Sequence, residues 1–259
     1  MAVFLALPFS VLRRGVKDCM FLAMLFAGAM PVLADYSICG EKPTIYLDIG
    51  HTAKMPGAKS ARGKPEYLFN DRLVREISTS LKKERKFDVK IINSSGKNIS
   101  LKQRSKSVRA IETGILASIH HDSVQRKYLK NWTVQGKKRR YSDRFQGYSL
   151  FISGSAPSFK ESRKLAESLG AQLKQAGMHP SLHHAEAIPG EGRPLLDASI
   201  GLYNFYRLAI LKKTRIPAVL IEVGIIVDRS EELMLETPRF RKTFIEAFTR
   251  GVNSYCGLH

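Results

Sequence analysis

Apolar and polar positions alternate along this chain in two rhythms, one of strands and one of helices. Thr44-Ile45-Tyr46-Leu47-Asp48-Ile49 is mostly apolar and short enough for a buried strand, and Gly50-His51 follows at once. Leu73, Ile77 and Leu81 recur every four residues with Val74 beside them, so residues 65–85 read as an amphipathic helix. Pro65 suits its first turn, where Glu66 also falls. Residues 87–92 read as a second strand. Ser100-Leu101-Lys102-Gln103 has the spacing of a capping box and opens a helix that runs to Gly114. Ile115 to His120 is another apolar run, and it ends in His120-His121-Asp122. Residues 146–153, 207–211 and 218–224 read as further strands. Leu165, Leu169 and Leu173 mark a helix that stops at Gly177, and Thr237-Pro238 starts the last one, with Phe240, Phe244, Phe248 and Val252 on one face. Strands alternating with helices predict a single α/β domain: about six strands in a mostly parallel or mixed sheet, with helices on both faces.

Two segments stand outside this rhythm. Residues 125–145 are strongly basic, with Lys137-Lys138-Arg139-Arg140 and the one tryptophan, Trp132. They read as an exposed insertion ordered by its own contacts. Residues 179–199 form a long polar loop, a length that in a compact domain marks function or disorder. Its His183, His184, Glu186 and Glu191 read as solvated loop residues, with lining a groove or contacting metal as the alternative.

Composition and charge narrow the class. The chain has 259 residues, 44% of them hydrophobic, enough for one α/β core. Its formal net charge is +19, which points to a polyanionic partner: nucleic acid, an anionic lipid surface or an acidic wall polymer. Arg13, Arg14 and Lys17 form a basic patch, and residues 19–30 follow as an apolar run of about a dozen, too short to span a bilayer as a helix. Val32-Leu33-Ala34 then offers small residues for cleavage after Ala34. Residues 1–34 therefore read as a signal peptide and 35–259 as the mature domain, exported to the periplasm, cell wall or medium, with no stable membrane span after cleavage. Removing Arg13, Arg14, Lys17 and Asp18 with the leader leaves 39 basic against 22 acidic residues. The leader and the lack of a nucleic-acid motif weigh against a nucleic-acid partner. Cys39 and Cys256, near the two ends of the mature chain, are a candidate disulfide in an exported protein, with two unrelated thiols as the alternative.

The candidate chemistry is a set of four residues. His51, His120 and Glu222 arrive at or near the ends of strands, where open α/β sheets place their ligands. Gly50 lets the backbone turn sharply before His51. Glu66 falls in the first turn of the helix that follows. Two histidines and one glutamate match a catalytic Zn2+ site that leaves a position open for water, and a second glutamate can act as general base. The separations are long, so no local metal motif is present. The competing reading is scattered polar residues, with Glu66 there only because a carboxylate suits a helix N-terminus.

Leu47-Asp48-Ile49-Gly50-His51 with Lys64-Pro65-Glu66 resembles the opening of the zinc-dependent N-acetylmuramoyl-L-alanine amidases of the amidase-3 type. Leu101 to Arg104 and Ala117-Ser118-Ile119-His120 resemble the middle of that domain. Leu208 to Leu211, Ile216-Pro217-Ala218-Val219-Leu220-Ile221-Glu222-Val223-Gly224 and the helix after Pro238 resemble its end. The resemblance runs from about Pro43 to Tyr255. It implies Zn2+ held by His51, Glu66 and His120, Glu222 as the catalytic glutamate, and peptidoglycan as substrate. The bond cut would join N-acetylmuramic acid to the L-alanine of the stem peptide. The chain departs from the family at His51-Thr52-Ala53, where His-Gly-Gly is usual, and at His121-Asp122, where Ala-Asn or Ala-Asp is usual; either change could reshape the substrate groove. A non-catalytic wall-binding or amidase-regulating protein of the same fold is the competing class, and metal content with release of stem peptides separates the two.

Overall fold

A computed structural model describes residues 39–258. The signal peptide expected at 1–34, and its cleavage site, lie outside the described residues. In chain order the elements are β1 (Thr44–Ile49), α1 (Glu66–Glu84), β2 (Asp88–Ile92), α2 (Leu101–Arg109), β3 (Ile115–Asp122), β4 (Lys130–Val134), β5 (Lys137–Tyr141), β6 (Ser149–Ile152), α3 (Phe159–Gln175), β7 (Leu195–Asp197), β8 (Leu202–Asn204), β9 (Ala218–Ile225), α4 (Glu231–Leu235) and α5 (Pro238–Cys256).

Seven strands form one mixed sheet in the order β2-β1-β3-β9-β6-β8-β7. The pairs β2–β1, β1–β3 and β3–β9 are parallel; β6 runs antiparallel to β9, parallel to β8, and β7 closes the edge antiparallel to β8. The central strands read as unbroken apolar runs because both of their faces are covered. Ile45, Leu47, Ile49, Ile115, Ala117, Ile119, Val219, Ile221 and Val223 point to one face and pack with α1, α3 and α5. Leu116, Ala218, Leu220 and Phe151 point to the other, where Val108 of α2 and the segment around Ile210, Leu211 and Ile216 cover them. His120 of β3 and Glu222 of β9 lie on this second face.

Residues 207–211 are not a strand. They form successive turns, with Leu211 N–H donating to the Leu208 carbonyl and Thr214 N–H to that of Leu211. Their apolar side chains are explained by packing onto the sheet rather than by pairing within it. The strands that complete the sheet are β7 and β8, three residues each and too short to show a period in the sequence.

Helix starts follow local chemistry. Ser100 and Gln103 make the reciprocal capping box, Ser100 Oγ accepting from Gln103 N–H at 3.2 Å and Gln103 Oε1 from Ser100 N–H at 2.8 Å. Thr237 Oγ1 caps α5 through Phe240 N–H at 3.2 Å, with Pro238 opening the helix. Cys39 and Cys256 are joined in a disulfide, which ties the chain ahead of β1 to the end of α5. The basic insertion is the hairpin β4–β5, turned by Gln135 and Gly136, both with positive φ as a two-residue turn of this kind requires. Its own contacts are only part of what orders it: Trp132 Nε1 donates to the Ala61 carbonyl at 3.0 Å, and Arg229 lies over the Tyr141 ring at 4.0 Å. Among the described residues no helix is long and apolar enough to cross a membrane.

Candidate active site

The left-handed turn after β1 falls on His51 itself, at φ 67°. Such a conformation is costly for a residue with a Cβ and persists only where its surroundings enforce it. Arg104 of α2 does so, donating from Nη2 to the His51 carbonyl at 2.6 Å. Its Nε lies 3.6 Å from Asp48 Oδ1, and Asp48 Oδ2 accepts from Ser118 Oγ at 2.6 Å. Gly50 has no left-handed φ, so its role differs from the one read in the sequence. It supplies space: a Cβ there would sit 2.7 Å from the His120 ring and from the Asn70 amide.

Glu66, in the first turn of α1, reaches both histidines. Its Oε2 lies 3.0 Å from His51 Nε2 and its Oε1 3.1 Å from His120 Nδ1. Ligand atoms of the three residues all lie within 4.8 Å of one another. Ala58 N–H donates to Oε2 at 3.0 Å, and Asn70 Nδ2 to Oε1 at 3.2 Å and to the Gly50 carbonyl at 3.1 Å. Burial pushes the Glu66 carboxyl up, but the hydrogen bonds and charge of His120 and His51 outweigh it, so the group stays ionised well below the usual carboxylate range. Gly57 makes room for this arrangement: a Cβ would fall 2.3 Å from Glu66 Oε2 and 2.6 Å from the His51 ring.

Glu222 lies on β9 in direct register with His120. It shares the face of Leu220, away from the main core. Its Oε2 is buried and makes no hydrogen bond. Burial, and then the negative charges of Asp122 and Glu66, push its carboxyl well above the usual range. A cavity of about 320 Å³ opens here, with His120, Asp122, Glu222, His184, Arg193 and Phe205 in its wall.

His121 does not reshape this cavity. It is 3% exposed, its Nδ1 lies 2.7 Å from Asn70 Oδ1, and its ring packs against Phe69; burial pushes its pKa down to about 3, so it stays neutral. Asp122, across a bulge from His120, does enter the cavity. There it meets His183 and His184, which are buried rather than solvated. His184 Nε2 is 2.8 Å from Asp122 Oδ2 and its Nδ1 2.8 Å from Glu191 Oε2. Burial alone would lower the pKa of His184, but Asp122 and then Glu191 lift it to about 9.

The structure therefore brings His51, Glu66, His120 and Glu222 to one edge of the sheet. It adds residues that the sequence reading did not single out. Asn70 had a signal, since it lies four residues after Glu66 and so on the same helix face. Asp48 and Arg104 fall within stretches that carry the resemblance, but their pairing across distant elements had no signal.

A largely parallel α/β sheet with histidines and carboxylates converging toward the C-terminal ends of its strands defines a domain whose chemistry sits at that edge. Residues 45–254 match the N-acetylmuramoyl-L-alanine amidase family, and the chain belongs to that family. A Buchnera aphidicola protein provisionally named as such an amidase is 23% identical over 227 residues, covering 83% of this chain and 95% of that one. The amidase AmiC of Neisseria meningitidis is 22% identical over 224 residues, covering 83% of this chain; the chain spans only 53% of it. Among solved structures, the catalytic domain of the amidase CwlV from Bacillus (Paenibacillus) polymyxa superimposes with TM-score 0.63 at 21% identity, over 84% of this chain and 99% of that one.

Proposed function

We propose that this chain is an exported zinc-dependent peptidoglycan amidase that hydrolyses the amide between N-acetylmuramic acid and the L-alanine of the stem peptide. The observation that carries the reading is the convergence of His51 Nε2 and His120 Nδ1 on the two oxygens of Glu66, beside a buried Glu222 oxygen with no partner. Two imidazoles and one carboxylate form the donor set of a catalytic zinc centre. The Gly57 cradle, which any Cβ would fill, fits the same use. His51, Glu66 and His120 would hold the ion, which when bound lowers the pKa of a water to about 7 and polarises a carbonyl.

The remaining work falls to the chain. Glu222 accepts a proton from the attacking water as its oxygen bonds to the lactyl carbonyl carbon. It then returns that proton to the alanine nitrogen as the carbon–nitrogen bond breaks, leaving a lactyl carboxylate and a free amine. Burial and the charges of Asp122 and Glu66 push this carboxyl above its usual range, and a cation held by His51, Glu66 and His120 would favour its ionised, proton-accepting form. Asn70, Ala58 N–H and Arg104 hold Glu66 and His51 in place throughout.

Positive charge gathers beside the site. Between the hairpin and residues 57–60 lies a cavity of about 510 Å³, with Lys59, Arg126, Lys138, Arg139 and Arg140 in its wall. This surface suits an anionic wall polymer, and we assign it to wall attachment. The direct test is incubation of the mature protein with purified peptidoglycan, followed by mass spectrometry of the products. Stem peptides with a free alanine amine should appear, vanish on chelation and return with zinc. Release that survives complete metal removal, or no release from a wall that other amidases digest, would sink the reading.

A further inference from the structure

The His183-His184 pair lies outside the set of four and is held in a way those four do not explain. Ligand atoms of Asp122, His183 and His184 all lie within 4.8 Å of one another. Asp122 Oδ2 is the point of convergence, 3.2 Å from His183 Nε2 and 2.8 Å from His184 Nε2. Each ring is fixed through its other nitrogen: His183 Nδ1 lies 2.9 Å from Ser181 Oγ, and His184 Nδ1 2.8 Å from Glu191 Oε2. Metal-binding histidines are held in this manner, one nitrogen tied to an outer partner so that the other is aimed at the ion. Glu191 is held in turn by Gln125 Nε2 at 2.7 Å and Arg193 Nη1 at 2.9 Å.

A second observation points to a ligand. The His183 side chain is 1% exposed, yet its Nε2 makes no hydrogen bond, despite the short approach to Asp122. Leaving a buried ring nitrogen unpaired is costly. A cation between the three groups removes that cost. It also balances the concentration of carboxylates here, since Asp122, Glu191 and Glu222 meet one guanidinium, that of Arg193, at the same cavity.

We propose that Asp122, His183 and His184 form a second divalent-cation site, separate from His51, Glu66 and His120 and bordering the same cavity. Its imidazole and carboxylate donors suit Zn2+ or another late first-row ion rather than Ca2+ or Mg2+, which prefer oxygen alone. The competitor for the same place is a proton: His184 as an imidazolium donating to both Asp122 and Glu191.

Counting ions separates the two. Metal-stripped protein is dialysed to equilibrium against buffered Zn2+, and zinc per chain is measured with the circular dichroism spectrum recorded alongside. The native chain should take two ions. His51→Ala should take one, and so should the double substitution His183→Ala with His184→Ala. Asp122→Asn, nearly unchanged in size, repeats the test where the double substitution fails to fold. One ion in the native chain, or two ions retained in folded Asp122→Asn, would overturn the second site. A native chain with one ion that His51→Ala abolishes would leave the amidase reading intact while ending this one.

Discussion

The two histidine–carboxylate clusters share an edge of one sheet but are built from different materials. His51, Glu66 and His120 hang on β1, α1 and β3, elements whose other faces form the core. Their supports are buried and come from regular elements too: Asn70 from α1, Asp48 from β1 and Arg104 from α2. Asp122, by contrast, is met by two residues of one short turn, and Ser181 and Glu191 in the same irregular segment support them. Aromatic rings close this second cluster: Phe145 stacks on His183 with centroids 5.2 Å apart, and Phe151 meets His184 at 4.9 Å. The sheet thus places the first cluster as a consequence of folding, whereas the second depends on how one loop settles on the finished sheet.

The largest expected effect separates binding from proton transfer within the first region. Glu222→Gln should keep its metal and its fold yet lose turnover on purified wall by about 10²–10⁴-fold, the usual contribution of general acid–base catalysis. Glu66→Gln should lose metal and turnover together. Zinc lost from the Glu222 variant but kept in the Glu66 variant would exchange their roles.

Two glycines with nearly the same φ set the regions side by side. Gly57 (φ 76°) and Gly192 (φ 75°) are both left-handed, so alanine at either costs about 1–2 kcal/mol of backbone strain. At Gly57 the new methyl would also strike Glu66 and His51, whereas at Gly192 the nearest atom, the Glu186 carbonyl oxygen, is 3.7 Å away. Both variants should melt a few degrees lower by calorimetry, and only Gly57→Ala should lose zinc from the first cluster. Equal zinc content in the two would mean that the Gly57 cradle does not shape that site.

The same contrast explains what could be read from the chain. His51 and His120 end apolar runs, Glu222 interrupts one, and Glu66 heads a four-residue apolar period, so each is marked by the element that carries it. His183 and His184 sit in polar sequence with no period, and the rings that bury them belong to β6, β8 and the chain after the hairpin. Burial supplied by distant elements leaves no local trace, which is why these two read as solvated. Residues 207–211 fail in the opposite direction: a locally strand-like composition serves turns that cover the sheet. The pairing of Arg104 with Asp48 escapes notice for the first of these reasons, since neither residue shows in its own segment that it has a partner.

A smaller effect tests the outer support of the first cluster. Asn70→Ala removes the amide that holds Glu66 and the Gly50 carbonyl, and it leaves His121 Nδ1 without its partner. Loss of such a support typically weakens metal binding by about 10–100-fold. Competition with a zinc chelator should show a loss of that order with turnover restored at saturating zinc. Unchanged zinc affinity would mean that Glu66 is placed by α1 and the Ala58 amide alone.

The smallest effect concerns the basic hairpin, where the two regions share a neighbour. Trp132 of β4 anchors it on the loop that carries Ala58 beside Glu66, while Tyr128 and Gln125, just before it, donate to Glu186 and Glu191 at 2.9 and 2.7 Å. The four cations of β5 are not equivalent. Arg139 packs inward, donating from Nε to the Arg62 carbonyl at 3.4 Å, and a Cβ on Gly63 would meet its guanidinium. Lys137, Lys138 and Arg140 are exposed. Replacing these three by glutamine should therefore remove charge without loosening either cluster. Attraction between exposed charges is screened over about 8 Å at physiological ionic strength, so binding of the native protein to isolated wall should fall as salt is added. The triple variant should bind a few-fold more weakly at low salt and show a flatter salt dependence, measured by co-sedimentation with wall. Zinc content and turnover of a soluble fragment too short to reach the hairpin should change little. Should zinc content fall with the charge, the hairpin would belong to the scaffold of the first cluster, and the division between a sheet-built site and its loop-built neighbour would have to be redrawn to include it.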